Sequence, residues 1–67
     1  MISARVNGRE VELDSELTVL AYVERLGVNP RAIAVELDGE ILERSAYAES
    51  LIRDGSVVEI VRMVGGG

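Results

Sequence analysis

The residues most able to do chemistry stand at the end of the sequence, where VRMV runs into Gly65, Gly66 and Gly67. Glycine has no side chain to pack and loses the most conformational freedom when ordered. A strand running into three glycines is therefore expected to leave packed structure, which divides the chain into one domain, residues 1–64, and a flexible glycine tail, residues 65–67. The plain account of such a tail is a frayed terminus or a cloning scar. The chemical account is that the terminal carboxylate is the working group. A carboxylate is a poor electrophile until a leaving group replaces one oxygen, and adenylation by ATP supplies one that a sulfur nucleophile can then displace. Such activation belongs in another protein's active site. Three extended residues reach about 10 Å, and glycine has no Cβ to clash with a narrow tunnel.

Little else in the chain competes for a chemical role. There is no cysteine and no histidine, which removes thiolate chemistry, the commonest general base and the usual zinc ligands. Ser3, Ser15, Ser45, Ser50 and Ser56 have no histidine to activate them. Glu10, Glu12, Asp14 and Glu16 form no calcium loop and read as a solvated face. The glycines sit in turns and at the end, not in a phosphate-cradling loop between a strand and a helix. Tyr22 and Tyr47 read as packing residues. The chain is thus expected to be no enzyme, to hold no metal and to bind no cofactor of its own.

Composition narrows the partners. Twelve acids against seven bases leave a net charge of −5, the wrong sign for a nucleic-acid surface. All seven bases are arginine. The plain account is a compositional preference; the chemical one is that a chain carrying an activated acyl group gains from having no lysine amine to attack it. No apolar run approaches a membrane span and no signal peptide opens the chain, so a cytoplasmic location is expected.

The elements that must carry the tail are legible from periodicity. ISARVN and REVEL alternate apolar and polar residues around Asn7-Gly8, the strongest short hairpin signal. Val19, Leu20, Val23 and Leu26 make a helical stripe, with Thr18 as N-cap, Gly27 as C-terminal cap and Pro30 as a stop. In AIAVELDGEIL, Ile33, Val35 and Leu37 share a face, Asp38-Gly39 turns the chain, and Ile41 and Leu42 follow in a short strand. Ser45 is placed to cap a single helical turn holding Tyr47 and Ala48, with Leu51 and Ile52 as plugs beneath it. Asp54-Gly55 turns into SVVEIVRMV, apolar enough for a central strand. The order β-β-α-β-β-β predicts an α+β roll, a mixed sheet of four to five strands packed on one helix; if the last strand lies between the first and the third, it is the sheet's centre. Alternation puts Val58 and Ile60 toward the helix. Val57, Glu59, Val61 and Met63 then face away, together with Ala34 and Glu36.

The NG hairpin, the helix closed by LG, the stretch AIAVELDGEIL, and DGSVVEIVRMV leading to a terminal Gly-Gly resemble the ThiS family, the sulfur carrier proteins of thiamine biosynthesis. The resemblance covers essentially the whole chain and implies the ubiquitin-like β-grasp fold. It also implies that a ThiF-type adenylating enzyme activates the carboxylate of Gly67, with Gly66 beside it, using ATP. Sulfur is then installed as a thiocarboxylate and taken up by thiazole synthase. Met63 stands where an aromatic residue is more usual. Val57, Val61, Met63 and Gly65 are the expected partner-binding residues, and the free chain is expected to be a monomer. Carriers for molybdopterin or other sulfur pathways share the tail and remain alternatives. So does a ubiquitin-like module that only binds, although such a module has no use for a free glycine end.

Overall fold

The computed structural model describes residues 1–63, and residues 64–67 lie outside the described part. Strands β1 (Ile2–Val6) and β2 (Arg9–Leu13) form the expected hairpin, in antiparallel register from Ile2↔Leu13 to Val6↔Arg9. Its turn takes Asn7 to φ 50° and Gly8 to φ 81°, the left-handed region that asparagine and glycine tolerate best. A short strand β3 (Leu17–Thr18) leads into the helix α1 (Val19–Leu26). Thr18 caps α1 by accepting a hydrogen bond from the Ala21 N–H at 3.0 Å. The Val19 and Leu20 amides, which a helix start leaves without intrahelical partners, donate to the Ser50 and Tyr47 carbonyls, both at 2.9 Å. Gly27 closes the helix in the left-handed conformation.

A 3-10 turn, Pro30–Ala32, capped by the Asn29 side chain, precedes β4 (Ile33–Leu37), so Pro30 starts a turn three residues after Gly27 has closed the helix. The Asp38-Gly39 hairpin leads to β5 (Glu40–Ile41). Leu42, expected within that strand, lies just beyond it. A second 3-10 turn, Arg44–Ala46, has Glu43 at its N-cap and no side-chain cap bond. Ser45 therefore sits inside this turn and does not cap it; Tyr47 ends it. Then come β6 (Leu51–Ile52) and β7 (Val57–Arg62).

Five strands form one mixed sheet in the order β2-β1-β7-β4-β5. The last strand is central, parallel to β1 and antiparallel to β4. This is the α+β roll that the element order predicts, and the β-grasp architecture that the resemblance implies. Two short strands were not in that order as strands: β3 and β6 pair as a separate two-stranded sheet, Leu17↔Ile52 and Thr18↔Leu51. The Leu51–Ile52 plug is thus itself hydrogen-bonded.

The core lies between α1 and one face of the five-stranded sheet. Ala4 and Val6 from β1, Leu13 from β2, Ile33 and Val35 from β4 and Val58 from β7 meet Val19, Tyr22 and Val23 from α1, with Tyr47 and Ile52 closing one end. Both tyrosines pack as expected. The helical stripe differs at its end: Leu26 is 48% exposed and Tyr22 is buried in its stead. The helix has eight residues, about 12 Å of axis, too short to cover the whole of that face.

Candidate functional site

The strand that delivers the tail is held on both sides by the two hairpin turns. Pairing of β1 with β7 spans only Arg5↔Val57 and Val6↔Val58. Beyond it the side chain of Asn7 takes over. The Ile60 N–H donates to Asn7 Oδ1 at 2.7 Å, and Asn7 Nδ2 donates to the Ile60 carbonyl at 3.1 Å. The amide side chain thus imitates one more strand residue. At the start of β7, Asp38 does the same from the other edge: the Val57 N–H donates to Asp38 Oδ1 at 2.8 Å, and the Asp38 N–H donates to the Val57 carbonyl at 2.7 Å. Both residues have positive φ, 50° and 53°. Each turn therefore does two jobs, reversing the chain and aligning β7. The sequence signal for the first job, Asx-Gly, hides the second, because the partner is 19 or 53 residues away. After Arg62, which pairs with Ile33, the Met63 N–H donates to the Ala32 carbonyl at 2.9 Å. That bond anchors the last described residue.

The faces of β7 are as alternation assigns them. Val58 is fully buried and Ile60 half-buried under the helix, while Val57 (42% exposed), Val61 (58%) and Met63 (50%) look outward. On the outer face Ala34 pairs with Val61 and Glu36 with Glu59 across β4 and β7. Ile41, opposite Glu36 on β5, is 77% exposed and extends the apolar group, a residue the sequence reading placed in a strand but on no face. An open depression of about 500 Å³ lies over Ala34, Glu36, Ile41, Glu59 and Val61. These apolar side chains are neighbours on one open face, and contiguity of that kind is a common feature of interaction surfaces. At its centre two carboxylates, Glu36 and Glu59, stand directly opposite each other, a pairing that costs a sheet stability.

Gly65, Gly66 and Gly67, the expected reactive tail and its neighbour, lie outside the described residues. Among the described residues no group of three or more His, Cys, Asp or Glu is placed to hold a metal ion, and no helix is long and apolar enough to cross a membrane.

Comparison with known proteins agrees with this architecture. The model of the ThiS family matches residues 3–67. The crystal structure of a thiamine biosynthesis protein (ThiS) from Geobacter metallireducens superposes with a TM-score of 0.86 at 35% identity, covering 98% of this chain and 100% of that one. A solution structure from the same organism gives 0.80, covering 98% and 88%. A thiazole synthase of Paramagnetospirillum magneticum is 42% identical over 62 residues, which are 92% of this chain and 19% of that protein. The chain therefore spans about a fifth of the length of that relative. An uncharacterized protein ycf40 of Porphyra purpurea is 30% identical over 66 residues, 98% of this chain and 93% of that one.

Proposed function

The chain belongs to the ThiS family, and on that premise we propose that it is a sulfur carrier for thiazole formation in thiamine biosynthesis, with the carboxylate of Gly67 as the group that is modified. A ThiF-type enzyme adenylates this carboxylate with ATP, releasing pyrophosphate. A sulfur nucleophile then displaces AMP to leave a thiocarboxylate, from which thiazole synthase takes the sulfur. The carrier supplies no catalytic group. It supplies a carboxylate on residues without side chains, a strand clamped at both edges that precedes them, and a face by which an enzyme holds the domain. ATP is the activating enzyme's substrate, and these steps take place in the cytoplasm.

The observation that carries this reading is the family match, which runs through the terminal glycines to residue 67. The choice of thiazole synthase as acceptor is supported by the relative of that name, of which this chain resembles a part. The outer face of β7 suits docking of the activating enzyme: Val61 and Met63 stand four and two residues before Gly65 in the sequence, methionine adapts to differently shaped partners, and Glu36 and Glu59 offer paired carboxylates to a partner's basic side chain.

The test is intact-protein mass spectrometry after incubation with a ThiF-type enzyme, ATP and a sulfur donor. The expected product is heavier by one sulfur-for-oxygen exchange, located at the C-terminal residue. Deleting Gly66 and Gly67 should abolish the product and leave the melting curve in place. A double deletion that still forms a thiocarboxylate overturns the role of the tail; no mass change in the full chain removes the carrier reading in favour of a module that only binds.

A further inference from the structure

The helix side of the sheet is not fully covered. Past the last turn of α1 an open cleft of about 590 Å³ runs over the sheet end from β2 to β4, beneath Leu26 and Val28 and over Val11, Ile33 and Ile60. Its cause is the short helix: the end of the sheet beside the Asn7-Gly8 turn extends past the stripe that buries the rest. Seven of the ten residues lining the cleft are apolar or aromatic, two are the arginines Arg9 and Arg62, and none is acidic. In a chain with twelve acids against seven bases this is a local reversal of charge. Both arginines are exposed, and the register places them on the helix side: Arg9 opposite Val6, and Arg62 opposite Ile33.

We propose that this cleft is a second docking site, distinct from the outer face of β7, and that its occupant is an acidic segment of a partner protein that seats a bulky apolar side chain against Leu26, Val28 and Ile60 while its carboxylates pair with Arg9 and Arg62. The arginine fork suits carboxylate recognition, and an apolar pocket flanked by arginines is where interface energy concentrates. The occupant is a partner segment and not residues 64–67 of this chain, because those four residues carry one apolar side chain, that of Val64, too little to fill the cleft. A polyanion such as nucleic acid would be repelled by the net charge of −5, whereas a short acidic segment meets the local positive rim. The two sites lie on opposite faces of one strand, so a partner seated in the cleft leaves the outer face free.

The experiment is an amide-resolved NMR titration of the full chain with a blocked peptide, acetyl-Glu-Asp-Phe-Leu-Asp-Glu-amide, and with its counterpart carrying lysine at every acidic position. The expected result is shifts centred on Arg9, Val11, Leu26, Val28 and Arg62 with the acidic peptide only. The binding should weaken with salt and by about tenfold or more in the Arg9→Glu/Arg62→Glu variant. No shifts at these amides, equal binding of the lysine peptide, or indifference to charge reversal in a variant that melts like the parent would overturn the proposal. So would displacement of the same signals on deleting residues 64–67, which would make the chain's own end the occupant. Loss of folding in the double variant would leave the two-peptide comparison on the parent chain to decide.

Discussion

Two apolar regions flank β7, one on each face, and they differ in what surrounds them. On the outer face Ala34, Ile41, Val61 and Met63 accompany two carboxylates, Glu36 and Glu59. On the helix side Leu26, Val28 and Ile60 accompany two guanidinium groups, Arg9 and Arg62. Between them along the same strand, Val58 is sealed from solvent. The chemistry of the apolar side chains is nearly the same in all three places. What separates core from surface is whether α1 reaches that part of the sheet, and what separates the two surfaces is the sign of the charges beside them. A domain too small to cover its sheet retains two apolar areas, and charges of opposite sign beside them would suit different partners.

The largest effect should come from placing a charge on the sealed face. In Val58→Asp a carboxyl group with no hydrogen-bond partner is buried, at a cost of about 2–7 kcal/mol, against a total of about 3–10 kcal/mol for a domain of this size. The variant should be largely unfolded by circular dichroism at room temperature; a cooperative melt near that of the parent would show that the two faces are misassigned. Next is the clamp that aligns the strand. Asn7→Ala removes two hydrogen bonds of about 0.5–1.5 kcal/mol each and forces alanine into the left-handed region at about 1–2 kcal/mol more. Asn7→Gly removes only the bonds. Denaturant midpoints should therefore fall in the order parent, Gly, Ala, and hydrogen exchange at the Ile60 amide should quicken in both. Protection of Ile60 unchanged in Asn7→Gly would mean that β4 alone aligns β7.

The outer face should respond in binding and not in stability. Val61→Asp and Met63→Asp are expected to move the melting temperature by less than about 4 °C and to weaken calorimetric binding to the activating enzyme by about tenfold or more. Unchanged affinity in both would remove this face from the docking account. The smallest effect concerns the opposed carboxylates. Glu59→Gln relieves the repulsion from Glu36 and should raise stability by about 0.2–1 kcal/mol while weakening the same docking. A variant that is less stable than the parent would show that Glu59 is engaged by a cation on its own sheet.

Most of the fold is legible in the sequence because its signals are local. Asn7-Gly8 and Asp38-Gly39 announce hairpins since few residues tolerate positive φ, and Thr18 and Gly27 bracket a helix since each satisfies or reverses the chain within four residues. Period-2 alternation in SVVEIVRMV assigns every side chain of β7 to its face. Where local reading went astray, a distant partner was the reason. Ser45 has the chemistry of a cap, yet Tyr47 and Ser50 had to present their carbonyls to α1, and that set the turn around Ser45. Leu51 and Ile52 look like simple plugs because their strand partner, Leu17–Thr18, lies 34 positions earlier and is only two residues long.

The candidate site divides in the same way. The tail and the outward set Val57, Val61 and Met63 are readable because composition and alternation are properties of adjacent residues. Sequence alone thus determined the helix and the five strands of the main sheet to within a residue or so, and which of their faces are apolar. The tertiary structure alone decided that Asn7 and Asp38 clamp β7 from opposite edges, that Ile41 joins the outer patch, and that Arg9 and Arg62 meet across an uncovered cleft. These depend on strand order and on how far an eight-residue helix reaches, and residues 53 positions apart share no local signal for either.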